Sequence, residues 1–351
     1  MKHHRMQLPR EVLVGNGTIE SVSEIALRLG FTKSALIVAG QKTYGVAGKT
    51  VKELLEEEGL EVNIFLVGSS TIEDVAAAEE KIRVLKPQVV FGVGGGTKID
   101  VAKLSAAHQQ TPFISVPTTA SHDGIASPLS SIKGFEKPYS VMAQAPIAII
   151  ADTNVISQAP WRLAVSGCGD VIAKFTAVRD WKLAHEEINE YYGGYAASLA
   201  LMSARLIMEN ADSIKREKEE GLRVLIEALI SCGVSMSIAG SSRPCSGSEH
   251  LFSHALEMIK PNYSLHGERC GVGTIVMAYL HRANWKRIRD TLKKLGAPTN
   301  AKDLGMENED LMRALELAGT IRRERYTILN KLTLNRDACE RLVKVTEVIA
   351  K

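Results

Sequence analysis

Six short β-rich runs punctuate the first half of the chain: VLVG at 12–15, SALIVAG at 34–40, EVNIFLVG at 61–68, PQVVFGVGGG at 87–96, PFISVP at 112–117 and PIAIIAD at 146–152. Between them lie helix-period stretches such as TVKELLEEEG (50–59) and TIEDVAAAEEKIRVL (71–85). Strands that alternate with helices need crossover connections, so this order predicts βαβ units around a parallel sheet. The expected fold class is α/β plus all-α, beginning with a doubly wound parallel-sheet domain over residues 1–157.

After Pro160 the β pattern stops. Long Ala/Leu/Met-rich segments with helical period replace it, among them 195–214, 222–240 and 307–329, and predict a helical domain over 158–351. With 45% hydrophobic and 24% charged residues the chain has globular composition. Lys and Arg number 43 against 40 Asp and Glu, too even a balance for a polyanion-binding surface, so nucleic acid is not an expected partner.

Five cysteines (Cys168, Cys232, Cys245, Cys270, Cys339) form no CxxC pair, which argues against a disulfide scaffold or a cysteine-built zinc knuckle and fits a reducing cytoplasm. The N-terminus meets Pro9, Arg10 and Glu11 before any apolar run, and no stretch is expected to reach the ~18 apolar residues that span a bilayer. Export and membrane insertion are therefore not expected.

Three segments carry candidate chemistry. VVFGVGGGTKIDVAKL follows a strand and opens a helix; Gly94, Gly95 and Gly96 leave the backbone bare where a helix N-terminus favours phosphate, although the pattern is neither GxGxxG nor a P-loop. The hydroxyl-rich loop PTTASHDGIASPLSSI (117–132) carries His122 and Asp123 past the carboxyl end of the next strand, the edge where ligands of open α/β sheets lie.

In the helical half, His250 and His254 stand four apart on one helix face, and His266 follows sixteen residues after His250. Asp170, expected to begin a helix after the glycines of GCGD, offers a carboxylate. An Asp plus two His, with coordination positions left open, is the donor set of a catalytic metal. His3, His4, His108, His185 and His281 are read as isolated surface residues.

Taken in order, GGGTKID, PTTASHDGIASP, GCGD, SEHLFSHALE and LHGE resemble the signatures of the glycerol dehydrogenase and dehydroquinate synthase superfamily. The string SHDGIASPLSSI is similar to its sn-glycerol-1-phosphate dehydrogenase branch, and the likeness runs from LPREVLVGNGTIESV (8–22) through nearly the whole chain. The resemblance implies dinucleotide contacts by Gly96, Thr97, Lys98, Ile99 and Asp100 and by Thr118, Thr119, Ala120, Ser121 and Ser127. It implies substrate contacts by Asp123, Asp170 and His254, of which Asp123 and His254 would be catalytic. Asp170, His250 and His266 would hold one Zn2+ per chain, with Ni2+ able to take the same set.

The implied reaction is reduction of dihydroxyacetone phosphate to sn-glycerol 1-phosphate by a homo-oligomeric enzyme of ether phospholipid synthesis. Gly40, Gln41 and Lys42 stand after the second strand, where an acid would repel a 2′-phosphate, so use of both NADH and NADPH is expected. Arg243, Lys174 and Lys260 are candidates for a substrate-phosphate pocket. The alternative is a glycerol dehydrogenase acting on unphosphorylated glycerol; a dehydroquinate synthase-like lyase, whose lysine-bearing glycine segment has no counterpart in HDGIASP, and a non-catalytic binding protein rank lower.

Overall fold

All six β-rich runs become strands of one parallel sheet: β1 (Glu11–Gly15), β2 (Ser34–Ala39), β3 (Glu61–Leu66), β4 (Val89–Gly94), β5 (Phe113–Pro117) and β8 (Ala148–Asp152), in the order β1-β8-β5-β4-β2-β3. The computed structural model describes residues 4, 6–134, 139–216 and 218–349. Helices α1 (Val22–Arg28), α2 (Gln41–Thr43), α3 (Lys49–Glu57), α4 (Ile72–Leu85), α5 (Gly96–His108) and α6 (Thr153–Ser157) complete a first compact unit, residues 1–161.

Every residue of β4, β5 and β8 is buried. A strand covered on both faces needs apolar side chains at successive positions, hence runs such as VVFGV with no polar alternation. Ile37, Phe91, Ile114 and Ile150 share one face and one core with Ile25 of α1 and Leu55 of α3. On the other face Gly92 lies under α5, where a Cβ would stand 3.0 Å from that of Ala102.

The connections after β2 and β4, which are neighbours, leave in opposite directions. The sheet's switch point therefore lies at their carboxyl ends, where Gly40 and Gly94–Gly96 sit. The loop expected over 117–132 is not wholly a loop. Its last four residues form β6 (Leu129–Ile132), paired antiparallel with β7 (Tyr139–Met142). The strand is short and hydroxyl-rich, and α5 holds it through buried polar groups: Asp100 Oδ2 accepts from Ser131 N (3.1 Å) and Lys103 Nζ donates to Leu129 O (2.6 Å).

The second unit, residues 162–351, is helical: α7 (Trp161–Ile188), α8 (Gly194–Glu209), α9 (Ala211–Arg216), α10 (Lys218–Ala239), α11 (Ser248–Ile259), α12 (His266–Leu280), α13 (Trp285–Leu295), α14 (Asn308–Ile321), α15 (Ile328–Lys331) and α16 (Arg336–Val345). Four expectations need correction. Asp170 does not begin a helix; it is the tenth residue of α7, whose 28 residues run straight through Gly167 and Gly169. The helical run expected over 307–329 stops at Ile321, where Arg322 takes a φ of −130°.

The stretch 219–239 is long and apolar enough to cross a membrane by length and composition, although 67% of its most apolar window is buried inside the fold. Finally, His281 is not a surface residue: its side chain is 8% exposed and Nε2 lies 2.9 Å from Asp180 Oδ1. His108 and His185 are exposed as expected but not isolated, His108 Nδ1 lying 2.6 Å from Glu79 Oε1 and His185 Nδ1 2.8 Å from Glu190 O; His4 is exposed, and His3 lies outside the described residues.

Gly169 of α7 and Gly267 of α12 serve packing. A Cβ on Gly169 would stand 2.3 Å from the Gly267 carbonyl oxygen, and one on Gly267 only 1.8 Å from that of Ser166. No side chain fits there, so α7 and α12 meet backbone to backbone. Helix propensity alone would make Gly169→Ala stabilising by about 1 kcal/mol. The contact reverses the sign, and urea denaturation of Gly169→Ala is expected to show a loss of about 1–3 kcal/mol.

Candidate metal centre and phosphate cradle

At the switch point of the first unit, Gly95 caps α5 in an extended conformation with no side-chain cap. The helix thus opens on bare backbone N–H groups, which suit an anion. Each glycine is required by a neighbour: a Cβ would stand 2.8 Å from Lys98 Cβ at Gly94, 3.2 Å from Thr119 Oγ1 at Gly95 and 1.7 Å from His122 Nε2 at Gly96. At Gly40 it would meet Lys98 Cε at 2.6 Å, so the Lys98 side chain fills the place beside β2 where an acid would otherwise stand.

Thr97 is exposed on the first turn of α5, and half-buried Lys98 donates from Nζ to Gly68 O (2.7 Å). Ile99 and Asp100 point inward, Asp100 Oδ1 lying 3.4 Å from Lys103 Nζ. Thr118 N donates to Gly94 O (3.0 Å), and the hydroxyls of Thr119 and Ser121 are 3.5 Å apart. Ala120 and Ser127 are buried, Ser127 Oγ donating to Leu129 O (3.2 Å). Asp123 is half-buried at the start of a short 3-10 turn, after His122, whose Nδ1 accepts from Gly124 N (2.9 Å).

In the second unit, α7, α11 and α12 bring Asp170, His250 and His266 together. His250 Nε2 is 3.5 Å and His266 Nε2 4.0 Å from Asp170 Oδ1. Cys270, one turn after His266 on α12, joins them with Sγ 3.5 Å from His266 Nε2, and the ligand atoms of all four lie within 4.8 Å of one another. Carboxylate, two imidazoles and a thiol at bond lengths of about 2.0–2.3 Å from a shared centre match this spread, and they are donors that suit zinc. His254 is outside the set, its ring centroid 6.3 Å from that of His266.

Burial would raise the pKa of Asp170, but Lys174, His250 and His266 outweigh it and hold the carboxyl well below its ordinary value. Burial likewise opposes a charged His250, yet Cys270, Asp170 and Glu249 hold that imidazole well above its usual pKa. His266 is driven well below the ordinary value by burial and by the charge of His250. His254 is pushed down to about 3 by burial and by the charges of His250, Arg269, Arg322 and Arg325. It is therefore a neutral imidazole at neutral pH.

The three cations suggested for a phosphate pocket are already committed. Lys174 is fully buried with Nζ 2.7 Å from Asp170 Oδ1, Arg243 forms a double hydrogen-bonded pair with Glu190, and Lys260 reaches Asp310 (3.3 Å) and the Tyr263 ring. The positive charge felt at His254 comes from His250, Arg269, Arg322 and Arg325, of which Arg269 and Arg322 are likewise paired, with Glu257 (2.9 Å) and Glu324 (3.1 Å), and Arg325 donates to Ser246 O and Ser242 Oγ.

A family model described as iron-containing alcohol dehydrogenase matches residues 13–160. A glycerol-1-phosphate dehydrogenase [NAD(P)+] of Methanosarcina mazei is 53% identical over 98% of this chain and 96% of its own length. The chain belongs to the glycerol-1-phosphate dehydrogenase family. Members from Methanothermobacter thermautotrophicus and Pyrococcus furiosus are each 51% identical over 99% of this chain and 100% of their own length. The fold is also that of a glycerol dehydrogenase from Schizosaccharomyces pombe, with a TM-score of 0.82 at 21% identity over 99% of this chain and 91% of that one.

Two groups at the centre of this glycerol-1-phosphate dehydrogenase family member escaped sequence reasoning. Cys270 stands four residues after His266, the same helix-face spacing that drew attention to His250 and His254. Glu249 adjoins His250 in sequence, where nothing marks it as buried.

Proposed function

We propose that this chain reduces dihydroxyacetone phosphate to sn-glycerol 1-phosphate with NADH or NADPH, in the cytoplasm, as the source of the glycerol backbone of archaeal-type ether phospholipids. The observation that carries the reading is the 53% identity to a named glycerol-1-phosphate dehydrogenase over 98% of the chain. The N-terminal domain binds the dinucleotide through Gly96–Asp100, Thr118–Ser121 and Ser127. The C-terminal domain holds zinc, or nickel, on Asp170, His250 and His266. The five cysteines are free and buried, which suits a reducing compartment.

Zinc supplies Lewis acidity at a carbonyl oxygen, and the reduced nicotinamide supplies hydride to the carbon beside it. The remaining work falls to the chain's own groups. Asp123 and His254 bind substrate and pass the proton that the new hydroxyl oxygen needs, drawn from solvent. Being neutral, His254 can take a proton on one ring nitrogen while releasing one from the other. The cationic surroundings of His254, from Arg269, Arg322 and Arg325, favour a phosphorylated ketone over an uncharged one.

Self-association is supported by α8, which exposes Tyr195, Met202 and Leu206 at spacings of seven and four, on one helix face. Light scattering is expected to return a mass above the 38.2 kDa of one chain.

Elemental analysis tests the ligand set. Asp170→Asn, His250→Ala and His266→Ala are each expected to lose bound metal and nearly all turnover, because the donor set that remains is incomplete and does not hold the ion. His254→Ala should keep its metal and lose activity. Full zinc in all three ligand variants would refute the assignment.

A kinetic panel with chiral analysis tests the reaction. Dihydroxyacetone should be reduced with kcat/KM at least roughly a thousandfold below its phosphate, about 4 kcal/mol of transition-state binding. NADH and NADPH should serve within about a hundredfold of each other, as expected without an acid after β2. The product should be the 1-phosphate alone. Equal use of dihydroxyacetone would favour a glycerol dehydrogenase, and a 3-phosphate product would refute the assigned reaction.

A further inference from the structure

Glu249 is completely buried at the start of α11, and both of its carboxylate oxygens are used. Oε1 accepts from Gly247 N and lies 2.7 Å from His250 Nδ1; Oε2 accepts from Thr176 Oγ1 at 2.7 Å. Thr176 stands on α7, the helix that carries Asp170. A carboxylate that served only to cap α11 would need the Gly247 N–H alone and could do so in water. Here it is taken out of water, which is costly, and tied to the helices of two different members of the donor cluster.

We propose that Glu249 is a positioning residue for the metal centre: it accepts the Nδ1 proton of His250, so that Nε2 is the atom presented to the ion, and through Thr176 it fixes α11 against α7. Because the oxygen can only accept, Nδ1 must donate, and the ring's second nitrogen is left facing Asp170 at 3.5 Å. A hydrogen-bonded carboxylate also makes the imidazole a stronger ligand, which is how outer groups commonly raise metal affinity. The Arg325 guanidinium interacts favourably with Glu249 and so offsets part of the cost of burying it.

The inference rests on His250 being a metal ligand, and one experiment separates the two. Zinc is titrated against a chromogenic chelator with wild type, His250→Ala, Glu249→Gln, Glu249→Leu and Thr176→Val, and the metal-free forms are melted in parallel. Glu249→Gln is expected to bind zinc about 10–100-fold more weakly while its metal-free form melts within a few degrees of wild type. Glu249→Leu, with no acceptor, should lose more, and Thr176→Val severalfold.

If wild type takes up no zinc, or His250→Ala binds as wild type does, the ligand reading fails. If His250→Ala loses the metal but Glu249→Gln binds within twofold of wild type, the positioning role alone is overturned, and Glu249 is no more than a cap. Should the Glu249 variants not fold, Thr176→Val decides: wild-type zinc affinity there refutes the proposal.

Discussion

A carboxylate 1% exposed governs how the helical unit is put together. Asp170 cannot remain ionised in the interior unless cations and donors are brought to it, since an uncompensated buried charge costs several kcal/mol. Lys174 comes from the next turn of the same helix, His250 from α11 and His266 from α12. Helix α12 reaches it only because Gly169 and Gly267 let two backbones touch. Gly169, which in GCGD looks like part of a helix-breaking turn, is therefore with Gly267 the condition for packing His266 beside Asp170.

The first unit solves a related problem differently. Its central strands β4, β5 and β8 are buried and largely apolar, and buried polar groups gather past their carboxyl ends. Fully buried Lys103 spans from Asp100 to the carbonyls of Gly124 and Leu129, and Asp100 in turn holds Ser131 N. Burial lowers the Lys103 pKa while Asp100 and Asp123 counter it. These links fix the segment carrying His122 and Asp123 to α5, the helix whose first turn is the candidate phosphate cradle. The first turns of α5 and the loop are thus joined by one set of buried polar bonds, with Asp100 held between Lys103 and Ser131 N.

How legible all this was depends on the range of the interaction concerned. Strand positions followed from apolar runs, and the parallel order from their alternation with helices, because both are local patterns enforced by burial on two faces. His250 and His254 were found by helical spacing. What spacing misses is direction: it grouped them, yet His250 points to Asp170 while His254 stands aside among arginine charges. Lys174, Arg243 and Lys260 looked like available cations, but each had a carboxylate from the same or a distant element. β6 was hidden because Asp100 and Lys103, some thirty residues earlier, hold its backbone, and its four residues, three of them not β-branched, carry little strand signal of their own.

The same long-range pairing explains why position in a motif is a weak guide to role here. Glu249 and His250 are adjacent, yet the carboxylate of the first holds the ring of the second, and a threonine seventy-three residues earlier holds the carboxylate. Asp180, one turn after that threonine in α7, accepts from Ser248 N and Oγ, from His281 and from Ile328 N, with no exposed surface of its own. Two buried acids on or against α7 therefore fasten the first residues of α11 in place. One touches a member of the donor cluster and the other does not. The arrangement divides anchoring of the helix, through Asp180 and Ser248, from the contact with the His250 ring, through Glu249.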